Sequence, residues 1–95
     1  MLVSQQAELE KGLTATEADL TPYQAAQWRM ARRWEEQGKL HQAIAAYCQL
    51  AERWPRTPAA RLALGRMMAL ATDLERRGAE RLALDLYRKL EELGL

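Results

Sequence analysis

Apolar side chains recur along this chain at steps of three and four, and nowhere at a sustained step of two, so the pattern predicts helices and no strands. The first clear stripe runs through Tyr23, Ala26, Met30, Ala31 and Trp34, with Arg29, Arg32, Arg33, Glu35 and Glu36 on the other side. The second comprises Leu40, Ala43, Ile44, Tyr47, Leu50, Ala51 and Trp54. Ala60, Ala63, Leu64, Met67, Leu70, Ala71 and Leu74 make the third, and Leu82, Ala83, Leu86, Tyr87, Leu90 and Leu93 the fourth. A weaker stripe of Leu2, Gln6, Leu9 and Leu13 predicts a short N-terminal helix over 2–13, followed by a connector over 14–20.

Punctuation between the stripes agrees with this division. Thr21-Pro22 and Thr57-Pro58 both read as helix starts, because threonine accepts a hydrogen bond from the first turn and proline has no N–H to orphan there. Gln24, three residues after Thr21, completes a capping box. Gly38, Gly78 and Gly94 stand where helices should stop, and Pro55 ends the second helix. So few residues around Gly38 separate helices one and two that an antiparallel hairpin is expected. Gly38, Ala43, Tyr47 and Leu50 recur 40 residues later as Gly78, Ala83, Tyr87 and Leu90. The expected fold is therefore all-α: two antiparallel helical hairpins over 21–95, preceded by an N-terminal capping or docking segment over 1–20.

These residues resemble a tetratricopeptide repeat, whose unit is about 34 residues long. Over 24–57, Ala31 and Ala43 match the small residues where the two helices touch. Trp34 is the large residue, Gly38 the turn glycine, Tyr47 the aromatic and Pro55 the terminator. Ala71, Gly78, Ala83, Tyr87 and Leu90 match in the second unit, and the resemblance covers residues 22–93. The units are 40 residues apart rather than 34, with the surplus in the third helix and its approach. The resemblance implies an α–α superhelix that binds peptides or partner helices on the face formed by the first helix of each pair. By position, that face offers Ala25, Trp28, Arg32, Glu35 and Glu36, then Gly65, Met68, Thr72, Glu75 and Arg76. Relatives that grip a C-terminal carboxylate present Lys and Asn in the first groove. Trp28 and Arg32 stand there in this chain, so that activity is not expected.

Composition narrows the function further. The 95 residues carry a net charge of +1, which favours neither nucleic acid nor an anionic membrane. No apolar run approaches the roughly 20 residues that span a bilayer, and no signal peptide is evident, so a cytoplasmic protein is expected. Cys48 is the only cysteine, and a mid-helix place beside the core predicts inert packing rather than a reactive thiolate. His41 is the only histidine and has no orienting group in view, so a surface role is expected. Neither a phosphate loop nor a metal or acid–base motif occurs, and neither enzyme activity nor a cofactor is expected.

Tryptophan is favoured at binding hot spots, which makes Trp28 the first partner-binding candidate, with packing against the N-terminal segment as its alternative. Trp54, beside Pro55, is expected to close the seam between units. The leading expectation is a non-catalytic adaptor, chaperone or assembly subunit that binds a protein partner or itself, as a homodimer or within a complex. Two hairpins leave the ends of the stack open, and an open apolar end invites association. The alternative is a helix-turn-helix nucleic-acid binder using Arg76, Arg77 and Arg81 around Gly78. The interleaved Glu75 and Glu80 weigh against it. Membrane-surface attachment through 2–13 is disfavoured by its acidic residues.

Overall fold

The computed structural model describes residues 15–94. The predicted helix over 2–13 lies outside the described residues. A short 3-10 turn, Glu17–Asp19, precedes four α-helices: α1 (Pro22–Glu36), α2 (Leu40–Arg53), α3 (Pro58–Arg76) and α4 (Glu80–Glu92). No strand occurs among the described residues. Each helix packs on the next; α1 also touches α3, and so does the 3-10 turn. No described helix is long and apolar enough to cross a membrane.

The helices start and stop for the reasons their sequences suggest. Thr21 Oγ1 accepts from the Gln24 N–H at 3.2 Å, and Gln24 Oε1 accepts from the Thr21 N–H at 3.1 Å, closing the capping box. Thr57 Oγ1 accepts from the Ala60 N–H at 3.3 Å at the start of α3. Gly38 and Gly78 adopt φ of +76° and +84°, a left-handed conformation that glycine takes without a Cβ penalty. Each then seals its helix in the same way. The Gly38 N–H donates to Glu35 O and the Lys39 N–H to Trp34 O. The Gly78 N–H donates to Glu75 O and the Ala79 N–H to Leu74 O. This is the Schellman arrangement, which satisfies carbonyls left over at a helix end. The α2–α3 connector over 54–57 is one residue longer than the other two, and Arg56 takes φ of +60°, an uncommon conformation for a side chain with a Cβ.

A single core runs through all four helices. Ala31, Ala43, Ala63, Ala71 and Ala83 are all buried in it. A methyl group is short enough to let neighbouring helix axes come close, which is why small residues occupy these seams. Tyr47, Leu50, Met67 and Leu90 supply the bulk. The stripes expected on α2, α3 and α4 are the faces that turn inward, wholly or in part.

On α1 the expected stripe is corrected. Tyr23, Ala26 and Met30 are exposed, whereas Gln24, Trp28 and Ala31 are buried. The inward face is rotated relative to the apolar positions for two reasons. Gln24 is held down by its capping bonds, and the Trp28 ring fills the space over Tyr47, with centroids 5.5 Å apart.

Candidate functional site

Glu35 lies in the last turn of α1, with its side chain 10 % exposed, and is the hub of a charged cluster. Its carboxylate accepts from Tyr47 Oη at 2.7 Å, from Arg32 Nη1 at 3.0 Å and from Arg66 Nε at 2.8 Å. Arg66 also donates through Nη2 to the second carboxylate oxygen, so the guanidinium grips both oxygens at once. The cluster thus joins α1, α2 and α3. Burial alone raises the Glu35 pKa. Hydrogen bonds from Arg66 and Tyr47, with the charges of Arg66 and Arg32, outweigh it and hold the carboxyl below its ordinary value of 4.5. Burial, then the bond to Glu35 and its charge, pushes the Tyr47 phenol well up, so it stays a donor. The hydrogen bond to Glu35 raises Arg66.

Half of this device recurs between α3 and α4. Tyr87 Oη donates to Glu75 Oε1 at 3.0 Å and lies 3.5 Å from Thr72 Oγ1. Glu75 is exposed, and no cation pairs with it among the described residues.

Of the residues placed on the binding face, the structure gathers Arg32 and Glu35 in the first cluster and Thr72 and Glu75 around Tyr87. Glu36, Met68, Glu75 and Arg76 are exposed, while Thr72 and Ala25 are half-buried. Gly65 is exposed on α3, and a Cβ there would meet nothing within 4 Å. Trp28 is in a different position: it is 8 % exposed and belongs to the core. Arg32 sits over its ring, 6.0 Å from the centroid, so the arginine rather than the indole reaches the surface. Arg66 was not foreseen, because nothing in a single sequence joins residues 31 positions apart on different helices. The glutamate–tyrosine pairs were not foreseen either, although both span the same 12 residues.

Trp54 is half-buried against the core and meets Tyr23 edge-on at 5.8 Å. Arg53 lies over both rings, at 4.8 and 5.3 Å. Next to them Tyr23, Gln27, Gln49, Glu52 and Arg53 line a shallow cleft, and the Gln27 Oε1 atom is buried without a hydrogen-bond partner. Cys48 is a free, buried thiol, and burial raises its pKa, which keeps it protonated and unreactive. His41 is exposed. Near Gly78, Arg77 pairs with Asp73 at 3.0 Å, while Arg76 and Arg81 are exposed. No protein-family model matches the chain, and no curated protein or solved structure matches it either.

Proposed function

We propose that this chain is a non-catalytic protein–protein interaction module of two tetratricopeptide-like antiparallel hairpins, α1–α2 and α3–α4, serving in the cytoplasm as a small adaptor, chaperone or assembly subunit. The observation that carries this reading is the duplicated device of glycine turn, buried alanine seam and glutamate–tyrosine bond, found once in each pair. Paired contacts support the antiparallel course: Glu35 meets Tyr47 near the turn, and Tyr23 meets Trp54 far from it.

The groove is the surface along α1 and α3. Glu35 and Arg66 form its inner tie and are largely spent on each other. Exposed Glu36, Met68, Glu75 and Arg76, with half-exposed Arg32, are left to meet a partner of mixed charge with an apolar anchor. Trp28 supports the groove from behind. Gly65 gives a partner's backbone room to approach α3 closely.

The test is capture from native extract on immobilised wild-type chain and on a Met68→Glu, Arg76→Glu variant, with identification by mass spectrometry. A protein held by the wild type and released by the variant supports the groove. Identical capture by both moves the binding surface elsewhere. Selective retention of nucleic acid that is lost as salt rises would replace this reading with the helix-turn-helix one.

A further inference from the structure

The two ends of the helical stack carry the two halves of a junction that the middle of the molecule completes. In α3, Ala63, Met67 and Leu70 are buried, and Arg66 among them reaches back to Glu35. Counting back by the 40-residue repeat, the same places on α1 are Tyr23, Gln27, Met30 and, for Arg66, Ala26. Tyr23 and Met30 are 55 % and 53 % exposed, and Gln27 keeps a buried oxygen with no partner. The difference is that α3 lies on a preceding pair, whereas no α-helix precedes α1 among the described residues. At the other end, Ile44 and Tyr47 of α2 recur as Leu84 and Tyr87 of α4. Ile44 is packed against the core, whereas Leu84 is 48 % exposed. Glu75 has its tyrosine but no arginine among the described residues.

We infer that copies of this chain associate head to tail, with the outward face of α1 in one copy laid on α4 of the next. The occupant of each end is a second copy because α3 already makes the equivalent contact with α2 within the chain, and α1 and α4 hold the corresponding places by the 40-residue count. Charge agrees. Arg29 is exposed, one helical turn from Ala26, the place that Arg66 holds in α3, and it meets the Glu75 carboxylate, which has Tyr87 as a donor but no cation among the described residues. The inference rests on the two-unit reading above. The junction is more polar than its internal template, since Arg88 and Glu91 stand where α2 has Cys48 and Ala51. Association is therefore weak, concentration-dependent and loosened by salt. A head-to-tail contact is not self-limiting unless its rotation closes a ring, so further copies add.

Sedimentation of wild-type chain over a hundredfold concentration range, at low and high salt, tests this. The expected result is a mean mass that climbs past two chains and falls back with salt. Met30→Glu and Leu84→Glu each replace an exposed side chain, and circular dichroism melts verify that both variants fold. Each alone remains single, because one end is spoiled. Mixed in equal amounts they form pairs and nothing larger, because each supplies the end the other lacks. A wild-type mass that stays at one chain, or stops at two, overturns the inference, as does a mixture that stays single. The two surfaces share Glu75, but partner capture is tested at Met68 and Arg76 and self-association at Met30 and Leu84, so either idea can fail without the other.

Discussion

Trp28 and Tyr47 lean on each other inside the first pair, and Tyr47 in turn donates to Glu35, so an apolar contact and a charged one share a single ring. Truncating Trp28 to alanine leaves a ring-sized void against Tyr47. Losses of this kind run to about 3–5 kcal/mol, a large part of the margin of a domain this small. Trp28→Ala should therefore show a much lower denaturation midpoint by circular dichroism, and an unchanged midpoint would mean the indole packs against nothing essential. Glu35 makes a pH-dependent contribution. Its folded pKa lies below 4.5, so the unfolded chain takes up this proton first as the solution is acidified. The contribution is whole above about 4.5 and disappears as pH falls through the lower folded value. Glu35→Gln should cost most near neutrality, and the gap from wild type should narrow below pH 4.5 in urea titrations. A gap of constant size would show that the charge on Glu35 is immaterial.

At the scale of the helix, the expected stripes turn inward on α2, α3 and α4, while Met68 and Leu84, which lie off those stripes, stay exposed, so there the stripes could be read directly from the chain. They part on α1, where a capping glutamine goes inward and a tyrosine and a methionine stay out. Periodicity counts apolar atoms and is blind to a polar residue buried by its own hydrogen bonds. The same blindness hid Arg66, whose partner lies on another helix. Gly65 breaks the pattern in the opposite sense, as a poor helix former in the middle of α3 with open space above it. Gly65→Ala should raise stability by roughly 0.5–1 kcal/mol, measured by thermal melting, and the same change should weaken partner capture if a backbone approaches there. Overpacking the seams is the converse test. Ala43→Leu and Ala83→Leu should each lose about 1–3 kcal/mol, since both alanines are buried between helices. Of the two, Ala43 lies on the helix packed between α1 and α3 and should lose more, as read from denaturation midpoints.

Across the whole molecule, support is uneven. α2 is flanked by α1 and α3 and tied in through Tyr47, whereas α4 rests mainly on α3 with a surface ion pair from Lys89 to Glu52 at 3.2 Å. Such an exposed pair adds little. Amide hydrogen exchange should therefore release α4 well before α2 in dilute chain, and equal protection in both would contradict this ranking. α1 and α3 also differ in length, at 15 and 19 residues. The Thr-Pro starts are 36 residues apart while the glycine turns are 40 apart, so α3 holds four residues that α1 lacks. Four residues advance a helix by about 400°, only some 40° beyond a full revolution, and by about 6 Å. An insertion of two would have swung the downstream half of α3 to the opposite side and exposed its seam. A helix packed along one seam can thus be lengthened only in whole-turn quanta, and that arithmetic limits which insertions into α3 the fold would survive.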